Sequence, residues 1–543
     1  MTAQIRIATA SKDLFDSLRL GLARAGIGIE ISAERLPNAQ AALEWLEDGM
    51  QSLLVLDSWL PAANGGDEDR SSAMHATRLL HELRRRGVKT PILVIMQSFD
   101  EDLERECNPD NRAIALPLDK LQTYQAKVLK PFMAMLMGRQ DNGAEGSSAI
   151  SGTFRVIEVD FRQDRSVCSL GFDDKPDDLI EWKHTRSLHE IKMAANIFSP
   201  PNAYDERGWI GKVRLGGEAV FGRHVIRAIG TGLFQHIEQA GGLSQLSFRY
   251  VITDPTLYPA PFEGSVRGRD DGQDGLFVLL NAPLVRRLPR PQVIRVSRHR
   301  TAQLPPKVRV LFIRSQMSEH PDGSTVSDEL VVQDGTQTNG LAFSRLDSID
   351  HELKDMETLA AEVGPERMVL EPLNLSDFQT EDGGVRACLR SKLTSEKYDL
   401  VHYAGHAWSS GFGGREANLL VLPGATLGKA VGFPIDELAE LAAEAEARFV
   451  YLSACRGTTT RSMQSFVAQG IPHALGFRCN VEDVRAAAFA KAFYRSLFKT
   501  KSLCQSFREA CASARRELET EEDSPIWVTP IMLAQSSDWA MRH

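Results

Sequence analysis

Two stretches of the chain alternate short apolar runs with segments of helical periodicity, and this alternation limits the fold more than any other feature of the sequence. The apolar runs of the first stretch, residues 4–137, are IRIA (5–8), SLLVLD (52–57) and PILVIM (91–96). The second stretch begins with VRVLFIRS (308–315). Strands that alternate with helical segments of about 10–15 residues form parallel sheets covered by helices. We therefore predict two α/β units.

The same periodicity predicts the individual elements of both units. In the first unit, amphipathic segments at 13–25 and 75–86 predict helices between the strands. In the second unit the predicted strands are 308–315, 366–371, 398–403, 418–422, 448–453 and 473–477, and the predicted helices are 345–363, 435–446, 485–497 and 502–518. The two units share this general pattern, which is typical of open α/β sheets.

The boundary between the first unit and the rest of the chain falls in a polar segment, RQDNGAEGSSAISG (139–152), whose glycine-rich composition without periodicity is typical of a linker. Beyond it, TFRVIEVDF (153–161) and LSFRYVIT (246–253) predict strands on either side of one helix near 218–239. The predicted domains are an α/β domain over 1–138, the linker over 139–152, an α+β region over 153–303 and an α/β domain over 304–543.

Charge and hydropathy exclude several classes of function. Lys and Arg total 63 against 72 Asp and Glu, so the bulk charge gives no reason to expect nucleic acid as a direct partner. The local basic runs Arg84 to Arg86 and 286–300 are interpreted as solvated surface. No apolar stretch approaches the roughly 20 residues that span a bilayer, and the N-terminus lacks the apolar core of a secretion signal. We therefore predict a cytoplasmic protein without membrane contact.

Seven cysteines are scattered along the chain without paired spacing, which favours reduced thiols over a disulfide framework. Reduced thiols are available for chemistry. In an open α/β sheet, reactive groups gather just past the carboxyl ends of neighbouring strands. Two segments have this form: YDLVHYAGHA (398–407) runs from an apolar strand to His406, and RFVYLSACRG (448–457) runs from another to Cys455.

A thiol is a useful nucleophile only as the thiolate, and a nearby imidazole can accept its proton and later protonate a leaving amine. We therefore predict Cys455 as the nucleophile and His406 as its base. The main-chain N–H groups of Ala407 and Cys455 are the candidate oxyanion donors. Two alternatives remain open: Cys455 is an inert core residue, or His402, His406 and Cys455 bind zinc. We interpret His402 as structural, and we predict neither a metal nor a cofactor.

The segments HYAGHA (402–407) and VYLSACRG (450–457) resemble the His and Cys motifs of CHAT domains, a caspase-like family related to caspases and separases. The run 465–510 resembles the family's C-terminal block, and YPAPFEGS, GLFVLLNAPLVRRL and VRVLFIRS resemble the segments that precede the His motif, so the resemblance covers about residues 155–543. It implies a caspase-like α/β sandwich and a cysteine endopeptidase that acts through Cys455 and His406.

The sequence departs from the family pattern at two places. Ala407 stands where the family usually has glycine, and a backbone with positive φ would be strained there. Cys479 and Asn480 occupy the region where the family commonly has Trp-Pro. The acidic residues Glu482 and Asp483 follow, and an acidic substrate pocket would favour Lys or Arg at the cleavage site. In the alternative interpretation, Asp483 caps the helix that follows it.

The first domain resembles a response-regulator receiver domain, which implies a flavodoxin-like fold with Asp57, at the end of SLLVLD, in the phosphoacceptor position. The chemistry of this site is incomplete. The stretch ATASKD lacks the acidic pair that holds Mg²⁺, Met96 or Gln97 stands where receivers have Ser or Thr, and ALPLDK replaces the usual Lys-Pro. We predict a pseudo-receiver that docks a partner or the peptidase domain.

These observations lead to three functional hypotheses. The first is a cytoplasmic cysteine endopeptidase of bacterial signalling or defence that cleaves a protein substrate and is activated by a protein partner or sensor. The second is a catalytically silent CHAT-like scaffold or adaptor. The third is an output protein governed by phosphorylation of Asp57. The sequence leaves open the substrate, the activating signal and the oligomeric state.

Overall fold

The computed structural model divides the chain into two compact units, Met1–Val159 with Ser166–Arg186 and Arg223–Leu246, and Asp160–Arg165 with Ser187–Gly222 and Ser247–His543. The residues that it describes are 4–24, 30–47, 52–61, 73–98, 100–118, 129, 132, 135–136, 154–172, 175–182, 188–195, 209–267, 277–289, 304–318, 328–331, 341–379, 384–410, 417–455, 460–500, 502–517 and 525–535. The predicted linker, 139–152, lies outside the described residues.

The first unit contains a five-stranded sheet in which every neighbouring pair is parallel, in the order β2-β1-β3-β4-β5. Its strands are β1 (Gln4–Ala8), β2 (Glu30–Leu36), β3 (Ser52–Asp57), β4 (Ile92–Met96) and β5 (Ala113–Pro117), and its helices are α1 (Lys12–Arg24), α2 (Ala39–Glu47), α3 (Ala73–Arg85) and α4 (Glu101–Glu106). This order is that of the flavodoxin-like fold, so the prediction for the first domain is confirmed.

The central strands of this sheet explain its continuous apolar runs. Leu54, Val55 and Leu56 in β3 and Val94 and Ile95 in β4 are all inaccessible to solvent. A parallel strand buried on both faces has no polar side to show, which is why SLLVLD and PILVIM lack alternation.

The helix predicted near 218–239 is interrupted in the structure. The observed elements are α6 (Trp209–Val220), a π-helical turn (Phe221–Val225), α7 (Ile226–Ile229) and α8 (Thr231–Gly241), and the short helix α5 (His189–Ala195) precedes them. Gly230 has φ of 98° and separates α7 from α8. Because this left-handed φ is available to glycine at little cost, the helix changes direction here. Strands β6 (Phe154–Phe161), β7 (Ser166–Phe172) and β8 (Lys175–Trp182) also belong to this region.

The second unit contains eight consecutive strands of a mixed sheet, in the order β14-β11-β15-β19-β20-β21-β10-β9. Their bounds are β9 (Ser247–Ile252), β10 (Leu284–Arg287), β11 (Val308–Ser315), β14 (Met368–Asn374), β15 (Leu400–Gly405), β19 (Phe449–Ser453), β20 (His473–Phe477) and β21 (Pro530–Ala534). Strands β14, β11, β15, β19 and β20 run parallel to one another, and β21 is antiparallel to β20. Five of the six strands predicted in this part of the chain lie in this sheet.

A second, smaller sheet has the order β13-β12-β18-β17-β16. Its strands are β12 (Asp328–Val331), β13 (Ala342–Phe343), β16 (Ala407–Ser410), β17 (Ala417–Pro423) and β18 (Lys429–Pro434). Only β17 was predicted, because the other strands are short or mix apolar with polar residues. Strand β16 begins at the residue that follows His406, so this sheet borders the candidate site.

Further helices of the second unit follow β9, and members of this set contact both sheets. They are α9 (Val278–Asn281), α10 (Ser348–Val363), α11 (Gly384–Ser395), α12 (Ile435–Glu444), α13 (Thr460–Ala468), α14 (Asp483–Thr500) and α15 (Leu503–Glu517). The four predicted helices correspond to α10, α12, α14 and α15, whereas α11 and α13 were missed. None of the described helices combines the length and the apolar composition that crossing a bilayer requires.

The interpretation of the basic runs as solvated surface is correct for Arg84 to Arg86, which are exposed, but wrong for Arg286. Arg286 is only 1% exposed, and its guanidinium donates to the buried carboxylate of Glu263 through Nε and Nη2. A buried guanidinium is tolerated when a bidentate carboxylate and further acceptors satisfy it. An arginine side chain is long enough to reach buried acceptors. A basic run in the sequence is therefore not always exposed to solvent.

Candidate active site

The register of two neighbouring strands sets the positions of His406 and Cys455. Strands β15 and β19 are parallel, and their last pair is Ala404 opposite Ser453. Continuing this register by two residues places His406 opposite Cys455. Neighbouring strands lie about 4.8 Å apart, so the two residues leave the sheet side by side at its carboxyl edge.

The two side chains also belong to the same face of the sheet. His402 in β15 lies opposite Tyr451 in β19, and their rings are in contact with centroids 4.7 Å apart. Side chains along a strand alternate between faces with a period of two residues. This alternation, continued past the ends of the two strands, predicts that residues 406 and 455 share the face on which His402 and Tyr451 meet.

The loop after β20 contacts the sulfur of Cys455, and a charge at its end acts on His406. The Sγ of Cys455 lies 3.4 Å from the carbonyl oxygen of Val481, and the N–H of Val481 donates to Sγ at 3.3 Å. Two residues further on, the charge of Asp483 acts on the imidazole of His406, where it opposes the lowering of the pKa that burial causes. The Val481 N–H is a donor that a thiolate can use and the Val481 carbonyl is an acceptor for the neutral thiol, so this loop contacts the sulfur in either state.

Accessibility distinguishes Cys455 from most of the other thiols. All seven cysteines are free, and only Cys455 and Cys388 are partly exposed. Burial raises the pKa of the Cys107 and Cys511 thiols well above the usual value, with nearby carboxylates adding to the effect. Such thiols are inert, whereas a partly exposed thiol that accepts from an N–H can react.

The hydrogen bond of His406 defines which ring nitrogen can act as the base. Its Nε2 lies 2.7 Å from the carbonyl oxygen of Ser344, which can only accept, so Nε2 carries the proton and donates. Nδ1 is then unprotonated in the neutral ring. Burial lowers the pKa of His406, while the Ser344 carbonyl and Asp483 oppose this shift. The imidazole is therefore neutral at pH 7 and ready to accept a proton.

The main chain around His406 is held by side chains that the sequence analysis did not single out. The Tyr403 hydroxyl lies 2.8 Å from the carbonyl oxygens of His406 and Val421, and Ser315 Oγ donates to Val421 O at 2.8 Å. The N–H of Val421 donates to His406 O at 3.0 Å. Nothing in the sequence marks Tyr403 or Ser315, since each lies within an apolar strand and acts only across the sheet.

The strain anticipated at Ala407 does not occur. Ala407 is the first residue of β16 and pairs with Leu420. Among the described residues other than glycine, only Arg112 and Glu446 have positive φ. Alanine therefore fits the extended backbone after His406 as well as glycine would. The oxyanion roles of the Ala407 and Cys455 amides stay a prediction.

The two acidic residues of the predicted substrate pocket differ in their surroundings. The side chain of Glu482 is 72% exposed, and its Oε2 lies 2.6 Å from Nε of Arg485. Asp483 is the first residue of α14, and its Oδ1 accepts from the N–H of Val484 at 2.9 Å. This contact is with the adjacent residue, whereas an N-cap accepts from a residue two or three positions further on, so the capping alternative stays a prediction. The charge of Asp483 also acts on His406. Nearby, Cys479 is buried and Asn480 is exposed.

His402 is fully buried, as a structural role requires. Its Nδ1 lies 3.0 Å from the Tyr494 hydroxyl and its Nε2 lies 3.0 Å from Oε1 of Glu352. Within the part of the chain that the structure describes, no three His, Cys, Asp or Glu side chains are grouped to hold a metal ion.

The phosphoacceptor position of the first unit is closed. Asp57 is only 2% exposed, and both carboxylate oxygens accept hydrogen bonds. Thr9 Oγ1 donates to Oδ2 at 2.8 Å, while Gln97 Nε2 and the N–H of Trp59 donate to Oδ1 at 2.8 and 3.0 Å. Of the two candidates for the receiver Ser or Thr, Gln97 is the one that contacts Asp57.

The second unit is thus an α/β protein whose candidate nucleophile and base follow neighbouring parallel strands. A family model for the CHAT domain matches residues 224–541. Because this match spans more than half of the 543 residues, the chain belongs to the CHAT domain family. The family resemblance based on the His and Cys motifs is therefore confirmed.

Three solved structures illustrate what the chain is similar to. The signal receiver domain of a putative Luxo repressor protein from Vibrio parahaemolyticus is 17% identical over 26% of this chain and 92% of that chain, with a TM-score of 0.20. The Drosophila initiator caspase Dronc is 8% identical over 51% of this chain and 97% of that chain, with a TM-score of 0.26. The Saccharomyces cerevisiae separase–securin complex gives 9% identity over 87% of this chain and 38% of that chain, with a TM-score of 0.34. We draw no conclusion from these low TM-scores. No curated protein matches the chain.

Proposed function

We propose that the chain is a caspase-like cysteine endopeptidase that hydrolyses peptide bonds of a protein substrate. The observation that carries this proposal is the parallel register of β15 and β19 up to Ala404 and Ser453, whose continuation by two residues pairs His406 with Cys455. The hydrogen bond from Nε2 of His406 to Ser344 supports it, because it leaves Nδ1 free to accept the thiol proton.

The proposed reaction is acyl transfer to Cys455 followed by hydrolysis. Nδ1 of His406 takes the thiol proton, and Sγ forms a bond to the scissile carbonyl carbon, whose oxygen becomes an anion. The N–H groups of Ala407 and Cys455 stabilise this anion. His406 then donates the proton to the leaving amine as the C–N bond breaks. Finally His406 removes a proton from the water that attacks the thioester carbon; the C–S bond breaks, the carboxylic acid product leaves, and His406 returns the proton to Sγ.

The acidic residues after β20 would set the preference for a basic residue before the cut. Asp483 is the stronger candidate, because its charge acts on His406 and it therefore lies near the reacting groups. Glu482 contributes less, since Arg485 already neutralises it. We expect Asp483→Asn to reduce the preference for Lys or Arg over an uncharged residue more than Glu482→Gln does.

A peptidyl acyloxymethyl ketone with lysine at its reactive end tests the peptidase proposal. Mass spectrometry of the purified chain should show the adduct on Cys455, and Cys455→Ala should remove it. We expect His406→Ala to slow labelling by about 100-fold or more, consistent with loss of general-base catalysis. Cys388→Ala is the matched control, because Cys388 is the other partly exposed thiol. A Cys455 that labels no faster than Cys388 would favour the silent scaffold or adaptor.

For the first unit we propose a pseudo-receiver that docks an activating protein partner or the peptidase domain, in a cytoplasmic bacterial signalling or defence system. The support is the occupied carboxylate of Asp57. Incubation with acetyl phosphate should therefore add no phosphate to the chain. A mass increase of one phosphate that Asp57→Asn abolishes would instead indicate an output protein governed by phosphorylation.

A further inference from the structure

A buried carboxylate lies beneath His406 and Cys455, on a helix that packs against the sheet. Glu352 belongs to α10 and is only 3% exposed. The sequence analysis did not single it out, and the proposed reaction does not use it. A buried carboxylate without compensating partners would lose several kcal/mol of solvation free energy. The groups that contact Glu352 therefore indicate its role.

The partners of Glu352 lie on both strands that lead to the candidate dyad. Oε1 of Glu352 lies 3.0 Å from Nε2 of His402, which is in β15. Oε2 accepts from Ser453 Oγ at 3.1 Å, and Ser453 is the last residue of β19. Nδ1 of His402 lies 3.0 Å from the hydroxyl of Tyr494 in α14. One carboxylate thus connects α10 to two neighbouring strands, and through His402 to a second helix.

Two phenols and the imidazole of His402 surround the carboxylate of Glu352. Tyr451 of β19 and Tyr494 of α14 face it, and burial together with the charge of Glu352 raises the pKa of both phenols well above the usual value. Both tyrosines therefore keep their protons. Oε1 of Glu352 and Nε2 of His402 lie 3.0 Å apart, and among the described residues neither atom makes a hydrogen bond.

We infer that Glu352 is a positioning residue, whose carboxylate holds β15 and β19 in the relative register that brings His406 opposite Cys455. This inference rests on the proposed peptidase function. Ser453 precedes Cys455 by two residues and His402 precedes His406 by four, on the same face of the sheet. A two-residue step along a strand is about 6.6 Å, so the contacts of Glu352 lie close below the candidate dyad.

Directional polar contacts suit this role better than apolar packing does. Apolar side chains such as Phe312, whose ring stacks on His402 at 4.6 Å, tolerate small displacements. The hydrogen bond from Ser453 Oγ to Glu352 at 3.1 Å fixes a direction as well as a distance, and the His402 Nε2 that lies 3.0 Å from the other carboxylate oxygen adds a close polar contact on the second strand. Proton transfer from a thiol is sensitive to such displacements, because a misplacement of about 1 Å can reduce a rate by about 100-fold.

The test measures the rate at which iodoacetamide alkylates Cys455 as a function of pH, by peptide mapping of the full chain. This small reagent needs no substrate pocket and no activating partner. We expect Glu352→Gln to slow alkylation of Cys455 by 10- to 100-fold at pH 7, and to move the pH of half-maximal rate upward toward that of an ordinary thiol, near about 8.5. At temperatures below the melting point of the variant, a loss of stability alone would not change the pH of half-maximal rate.

Ser453→Ala keeps the test decisive if Glu352→Gln folds poorly. It removes one of the two strand contacts, and we expect a three- to ten-fold slower reaction with the same direction of pH shift. Glu357→Gln is the matched control, because Glu357 is an exposed carboxylate on the same helix. Cys388, in α11, serves as an internal reference thiol whose rate should not change.

His406→Ala in the same series separates the two proposals. If it slows alkylation while Glu352→Gln and Ser453→Ala leave both the rate and the pH profile at wild-type values, the positioning role is wrong and the dyad stands. If His406→Ala leaves alkylation of Cys455 unchanged, the dyad itself is wrong and the positioning role falls with it.

Discussion

A side chain at Gly405, the last residue of β15, would collide with residues that hold the main chain of His406. A Cβ at this position would lie 2.7 Å from the Tyr403 hydroxyl oxygen and 2.8 Å from the Cβ of Ser315. Contacts this short do not occur between real side chains, so one or both neighbours would have to move. Tyr403 holds the carbonyl of His406, and His406 would move with it.

We therefore expect Gly405→Ala to slow labelling of Cys455 by at least about ten-fold, and to destabilise the chain by about 1–3 kcal/mol, as overpacking does. The measurements are the labelling rate and the midpoint of thermal unfolding. Gly222→Ala is the control, because the nearest atom to its added Cβ is Glu218 Cγ at 3.7 Å, which is ordinary contact. Equal effects of the two substitutions would contradict the role given to Tyr403.

The charge at Asp483 predicts the pH dependence of the site. Burial lowers the pKa of His406, and the negative charge of Asp483 opposes this. Asp483→Asn removes that opposition, so the pKa of His406 should fall further and the acid limb of the alkylation profile of Cys455 should move to lower pH. Glu482→Gln, which removes the neighbouring exposed carboxylate, should leave the limb in place. A shift to higher pH in Asp483→Asn would refute this electrostatic account.

At the scale of elements, the break between α7 and α8 depends on the backbone of Gly230. Its φ of 98° is strained for any other residue, and an added Cβ would also lie 2.2 Å from Oε1 of Glu104. Gly242 provides a matched comparison. Its φ is 73°, but an added Cβ there would meet no atom within 4 Å. Comparing alanine substitutions at the two glycines therefore separates the cost of backbone strain from the cost of a steric collision.

We expect Gly242→Ala to lower stability by about 1 kcal/mol through backbone strain alone, and Gly230→Ala to lower it by clearly more. Thermal unfolding of the two variants beside the wild type measures the difference. Equal shifts in the melting midpoint would mean that the side chain of Glu104 moves aside freely and that only the backbone matters.

At the scale of the whole molecule, a buried charge cluster joins distant parts of the second unit. Glu263 receives hydrogen bonds from Arg286, in β10, and from Arg478, which follows β20. The same arginines also donate to the main-chain oxygens of Ala260 and Val528. Removing one partner from such a cluster leaves buried charge without compensation.

Glu263→Gln should therefore destabilise the second unit by about 3–5 kcal/mol, measured by chemical denaturation at pH 7. Burial alone would raise the pKa of Glu263, but the charges of Arg286 and Arg478 outweigh it and lower the pKa below 4.5. The unfolded chain then binds this proton first as pH falls. The stabilisation from Glu263 is complete above about pH 4.5 and is lost as pH falls through the folded pKa. Glu263→Gln has no carboxylate to protonate at this position, so its free energy of unfolding should lack this loss. An identical loss of stability between pH 7 and about pH 3 in both proteins would contradict the pairing.

Local pattern was sufficient for the flavodoxin-like domain and the main strands of the second unit, and it also led to the prediction of His406 and Cys455 as a pair. Apolar runs such as SLLVLD and VRVLFIRS become buried strands because no other arrangement hides both of their faces. A histidine and a cysteine that directly follow two such strands must reach the same edge of a parallel sheet. These conclusions need only neighbouring residues in the chain.

Only the tertiary structure decided how these groups are held. Ser344, Tyr403 and Glu352 act on the site from 62, 3 and 101 positions away along the chain through bonds to His406 and Ser453. Gln97 reaches Asp57 across 40 positions, and Arg286 reaches Glu263 across 23. A single side chain carries no sign of a partner that folding brings to it, because hydrogen bonds and ion pairs depend on distance in space and not on distance along the chain.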